Sequence, residues 1–140
     1  MIQSQRGTAS VLFVGAMTNS ATQTANLDTR GADYAVISIA LAAEINTNAI
    51  GPTISVLTDD TTVVTNFATI TADRSAEDIT AAKVVQYHVD LKGQQRYLRL
   101  SVTTETTTND NVTVGATGTL YRQADAPGAA TNIADVAVIV

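Results

Sequence analysis

The chain has 140 residues and a net charge of −5, and its eight Lys and Arg are scattered singly, which suits one domain with a real core and argues against a phosphate-binding stripe. It contains no cysteine, which excludes a disulfide framework and a thiolate metal site. Hydrophobic residues make up 45% and charged residues only 15%, against roughly 25% charged in ordinary globular domains, so this Thr-rich, neutral exterior predicts surface that other subunits cover.

Met1–Ala9 begins with Gln, Ser and Arg and lacks the unbroken apolar run of a secretory signal. Ser10–Met17 (SVLFVGAM) reads as the first strand. Thr18–Arg30 reads as a polar loop whose only large apolar residue is Leu27. Ala32–Ala43 is the longest strand candidate, with Ala35, Ile37, Ile39 and Leu41 on one face and Tyr34, Val36, Ser38 and Ala40 on the other. Both faces are apolar enough to be covered, and no run of apolar residues reaches the roughly 20 needed to span a bilayer.

After the break at Gly51-Pro52, Thr53–Leu57 predicts a short strand ending at the turn-forming Asp59-Asp60. Thr61–Thr71 predicts the next strand. Ala72–Ala82 predicts a connector in which Asp73 or Ser75 caps a helical turn. Lys83–Leu91 alternates, with Val85, Tyr87, Val89 and Leu91 on its inner face. Arg96–Glu105 resumes with Leu98, Leu100 and Val102 inward and Tyr97, Arg99, Ser101 and Thr103 outward, and the two segments read as a hairpin around Gly93. Thr106–Asn111 is a polar turn. Val112–Arg122 follows as a strand in which Gly115 and Gly118 mark a bulge or a close neighbouring backbone, and the apolar Ile133–Val140 predicts a docked terminal strand.

Short β-rich segments between turn clusters predict an all-β, antiparallel β-sandwich of about eight strands, of jelly-roll or Greek-key type, with an immunoglobulin-like sandwich second. The expected organisation is a single domain in which residues 1–30 form an N-terminal arm and first strand and residues 31–140 the sandwich. Candidate interface residues are Gln3, Gln5 and Arg6 on the arm, Leu27 and Arg30 in the polar stretch, and Tyr97, Arg99 and Arg122 on the later strands.

Enzyme chemistry finds little to work with. The lone His88 falls on an outward strand position and reads as an exposed or interface residue, since one histidine without cysteine builds neither a triad nor a multi-histidine metal site. Asp59-Asp60, Glu77-Asp78, Glu105 and Asp110 fall in or beside turns, where carboxylates cap and solvate. Asn109-Asp110-Asn111 lacks the alternating ligands of a calcium loop, and Asn111-Val112-Thr113 matches a glycosylation acceptor only as a short pattern. The expectation is a non-enzyme with no cofactor, metal, nucleic acid, membrane or small-molecule substrate.

Three stretches, Thr29–Leu41, Val89–Thr103 and Leu120–Thr131, resemble small virion structural proteins of tailed bacteriophages. In those proteins an Asp-Leu-basic-Gly turn leads into an Arg-Tyr-Leu strand, and a later strand ends in Arg before an acidic loop. Asp90, Leu91, Lys92, Gly93, Arg96, Tyr97, Leu98 and Arg122 match here. The resemblance implies a decoration or cement protein, commonly a homotrimer, on the outer surface of the virion capsid and bound to the major capsid protein. A tail, neck or fibre-base component, or a host-surface or ligand-binding module, is the alternative.

Overall fold

The structure, a computed structural model, describes residues 8–18, 20–43, 51–62, 67–70, 79, 81–105, 112–122 and 136–139. These form nine strands and no helix: β1 (Thr8–Met17), β2 (Thr22–Asp28), β3 (Tyr34–Leu41), β4 (Thr53–Asp59), β5 (Ala68–Thr69), β6 (Lys83–Asp90), β7 (Tyr97–Thr103), β8 (Val112–Tyr121) and β9 (Val136–Ile139).

The pairing follows one rule. β1 pairs with β8, β2 with β7, β3 with β6 and β4 with β5, all antiparallel, as in a long ribbon folded at its middle. Rolling that ribbon brings β8 against β3 and β7 against β4. The result is a five-stranded sheet in the order β1-β8-β3-β6-β9 facing a four-stranded sheet in the order β2-β7-β4-β5. That arrangement is a jelly-roll β-sandwich. β9 joins the edge of β6 in parallel, so the described part of the expected last strand, Val136–Ile139, is paired into the sheet.

Four local expectations change. Thr18–Arg30 is not wholly loop, because Thr22–Asp28 forms β2 and pairs along its whole length with β7. As an edge strand it exposes most of its polar Thr, Gln and Asn side chains and turns Leu27 into the core, so it carries one apolar anchor rather than an alternating set. Residues 83–105 do not form a hairpin: β6 lies in one sheet and β7 in the other, and the turn between them arches across the sandwich. Of Thr61–Thr71 the described strand is Ala68–Thr69 alone, with a bend at Asp60–Thr61. The bulge sits not in β8 but in β1, between Val11 and Phe13. The helical turn expected within 72–82 falls mostly outside the described residues, although Ile79 is buried.

Alternate residues of facing strands fill the core. Ala35, Ile37 and Ile39 of β3, Val85, Tyr87 and Val89 of β6, Val114 and Ala116 of β8, and Leu98, Leu100 and Val102 of β7 are buried in one cluster. Each large apolar side chain taken from water stabilises the fold by about 1.5–3 kcal/mol, before the cost of ordering it. The register places Tyr87 beside Ile37, and Ile37 beside Gly118. Size falls along that row because neighbours fill the space: a Cβ at Gly118 would lie 3.0 Å from Leu27 Cδ2 of the opposite sheet, with Leu12 of the adjacent β1 at 3.6 Å. Gly118 therefore marks a close approach of side chains, not of the neighbouring backbone expected from the sequence, and a Cβ at Gly115 would meet nothing within 4 Å.

Candidate interaction surface

One end of the sandwich is built from two turns of the same design. Asp28-Thr29-Arg30-Gly31 follows β2, and Asp90-Leu91-Lys92-Gly93 follows β6. In each, the Asp Oδ1 accepts the N–H two residues on, from Arg30 at 3.1 Å and from Lys92 at 2.9 Å. In each, glycine holds a positive φ, 76° and 85°, where a β-carbon would be strained. Ala32 N–H donates back to Thr29 O at 3.0 Å and Gln94 N–H to Leu91 O at 3.1 Å, closing four-residue turns with glycine at the third position, as type II turns require. Both turns carry the chain from one sheet to the other.

Hydrogen bonds lock the two turns together. Thr29 donates its N–H and its Oγ1–H to Arg96 O, at 3.0 and 2.6 Å. Leu91 N–H donates to Asp33 O, and Asp33 N–H to Tyr121 O. The Arg96 guanidinium grips Asp28 with two N–H groups, at 3.0 and 2.6 Å, and lies 4.7 Å from the Tyr97 ring centroid. The Arg122 guanidinium packs over Gly31. The described ends of Thr29–Leu41, Val89–Thr103 and Leu120–Thr131 thus meet at this end, where Arg30, Asp33, Asp59, Asp60 and Lys92 also lie.

The Arg96 hydrogen bonds hold the Asp28 carboxyl well below its ordinary 3.8, at about 2. Its folded pKa lies under its unfolded one, so the stabilisation from this pair is present above about pH 4 and disappears as pH falls through about 2. Asp28→Asn is expected to remove that part of the acid dependence, read as thermal midpoint against pH for both proteins. Identical acid limbs would contradict the assignment.

The outward face of the five-stranded sheet is different in kind. Three rows of paired residues cross β1, β8, β3 and β6: Ala9, Thr119, Val36, His88; Val11, Thr117, Ser38, Gln86; and Val14, Gly115, Ala40, Val84. None of these twelve side chains carries a formal charge at neutral pH. The part over β3 and β6 is largely closed, with Tyr34, Val36, Gln86 and His88 buried. There Gln86 donates to Ser38 Oγ at 2.9 Å and its Oε1 lies 3.3 Å from His88 Nε2, so both ends of the buried amide have partners. The part over β1 and β8 is open. Val11 and Val14 are 70% and 73% exposed, and Ala40, Thr113 and Thr117 are exposed beside them.

The candidate residues divide accordingly. Arg30, Tyr97 and Arg122 come together at the turn end, with Arg30 and Arg122 exposed and Tyr97 partly buried. Leu27 is not presented to a partner but faces the core against Gly118. Arg99, outward by alternation, is only 5% exposed. Its guanidinium donates to Asn26 Oδ1 at 2.8 Å and lies 3.9 Å from the Phe67 ring centroid, so it is held within the chain. His88 is outward as expected but buried beside Gln86 and Tyr34, and burial lowers its pKa, keeping the ring neutral. Gln3, Gln5 and Arg6 lie outside the described residues.

Sequence reasoning missed Val11, Val14, Ala40 and Thr117 as surface. Ser10–Met17 is apolar on both faces yet sits at a sheet edge, and only the pairing shows that one of those faces is open.

Among the described residues no group of three or more His, Asp or Glu is placed to hold a metal ion, and no helix is long and apolar enough to cross a membrane. Compared with protein-family models and with curated protein sequences, the chain finds no match.

Proposed function

We propose that this protein is a virion structural subunit of a tailed phage, a decoration or cement protein that docks on the head and bridges neighbouring capsid subunits. The observation that carries the docking half is the uncharged, open face of β1 and β8 on a jelly roll whose turn end gathers charge. A face of Val, Ala, Thr and Gly gives up little hydration when covered, whereas the turn end would lose water from Asp28, Arg30, Lys92 and Arg96. The capsid as partner rests on the resemblance of the turn segments to phage virion proteins. The mechanism is mechanical: each copy adds buried interface, and many copies act together through the symmetry of the shell.

Binding of the purified chain to heads stripped of it tests this directly. Ala40→Lys combined with Thr117→Lys places two ammonium groups on the face and is expected to weaken head binding at least about tenfold, since each would be desolvated without a partner. Unchanged binding of the double variant would overturn the docking face. Native particles, imaged, are expected to carry the chain on the shell lattice in hundreds of copies. A few copies at the tail or neck would move the protein to that part of the virion.

A further inference from the structure

We propose that β1 is a self-pairing edge: two copies of the chain join β1 to β1, antiparallel about a two-fold axis, and continue one five-stranded sheet into the other. β1 stands at the end of the sheet order, hydrogen-bonded to β8 on one side only. The backbone groups on its other side form a row of unused donors and acceptors, the template to which another strand adds.

Natural edges are blunted by charge, proline or brevity, and the other edges here follow that pattern. β2 is polar and ends in Asp28, β5 has two residues and β9 has four. β1 runs for ten residues, TASVLFVGAM, without a charged side chain or a proline. Its bulge turns both Leu12 and Phe13 toward the core cluster and leaves Val11 and Val14 outward. Beyond the bulge, Phe13 to Met17 keeps an unbroken register with β8, so a straight segment is left to receive a partner strand.

The occupant is a second copy because the strand is complementary to itself. Across a two-fold axis every strand contact pairs uncharged residues of TASVLFVGAM with one another, so two chains that each carry −5 meet where neither strand has a charge. Antiparallel pairing also sets the two charged turn ends at opposite ends of the seam, since β1 begins beside Leu120 and finishes beside Val112. The contact is about 30 Å long and about 10 Å wide, on the order of 600 Å² over both partners. That falls below the roughly 1,200 Å² of standing complexes, so the pair forms reversibly at high concentration and is reinforced where copies are already gathered.

Native mass spectrometry and sedimentation of the full chain across a wide concentration range provide the test, with amide exchange as the second readout. The wild type is expected to form a dimer with rising concentration, and exchange within Thr8–Met17 is expected to slow in step. Val11→Lys with Val14→Lys, both at highly exposed positions, is expected to keep the wild-type circular dichroism and to weaken dimerisation at least tenfold. Ala40→Lys, two strands in from the edge, is expected to leave the dimer intact, which separates edge pairing from packing of the outer face. A monomer at every concentration, a trimer, or a dimer that survives the double Lys variant would overturn the proposal. These outcomes are independent of head binding, where Ala40→Lys with Thr117→Lys is the diagnostic variant, so the two proposals fail separately.

Discussion

Tyr87→Ala is expected to destabilise the protein by about 3–5 kcal/mol, the cost of removing a fully buried aromatic ring. The ring has no solvent exposure, stands in the middle of β6, and reaches across the sandwich so that its hydroxyl donates to Ile54 O of β4 at 3.3 Å. It therefore ties the two sheets together by packing and by a hydrogen bond. Tyr87→Phe separates these contributions: it keeps the ring and loses the hydroxyl, and should cost about 1 kcal/mol. Urea unfolding of both variants reads the difference directly. If Tyr87→Ala cost no more than Tyr87→Phe, the ring would not lie between the sheets.

Ile37→Ala is expected to cost about 2–5 kcal/mol, because the side chain is fully buried on a central strand with few ways for neighbours to collapse into the space. Ile37 is flanked by Tyr87 of β6 and Gly118 of β8, and Gly118 has no side chain to move. Val14→Ala makes the control. That residue belongs to the same sheet but points outward, and its truncation should change stability by less than about 0.5 kcal/mol. The pair of measurements decides which face of the five-stranded sheet is core, and with it which face is free to dock.

Much of the sandwich was legible because alternation is a local property. Spacing puts Ala35, Ile37, Ile39 and Leu41 on one face, Val85, Tyr87, Val89 and Leu91 on another, and Leu98, Leu100 and Val102 inward, and all are buried except Leu91, which is partly so. Partner choice is not local. Lys83–Leu91 and Arg96–Glu105 look like the arms of a hairpin in sequence, yet a turn with glycine at positive φ sends the second arm into the other sheet. The signal for that behaviour was present, since Asp28-Thr29-Arg30-Gly31 repeats the pattern of Asp90-Leu91-Lys92-Gly93. Recognising the repeat would have ended a strand at Asp28 and exposed β2 as one.

The docking surface was harder to see for a different reason. Val11 and Val14 are hydrophobic and β-branched, so composition sends them inward; the bulge at Leu12 and the edge position of β1 send them to solvent. Arg99 departs from its sequence pattern in the opposite sense. A charged outward residue reads as surface, but Asn26 and Phe67 on neighbouring segments hold and cover it. The cover over Arg99 and the edge position of β1 both come from segments distant in sequence.

The absence of cysteine makes the central claim directly measurable, because a single introduced thiol reports its own surroundings. Thr117→Cys on the open face and Lys92→Cys on the turn end should react alike with a maleimide in the free protein, as both positions are exposed. On the assembled particle Thr117→Cys is expected to become protected while Lys92→Cys reacts at its free rate. Protection at Lys92 with Thr117 still reactive would mean that the protein docks through its charged end and that the uncharged face is not the interface.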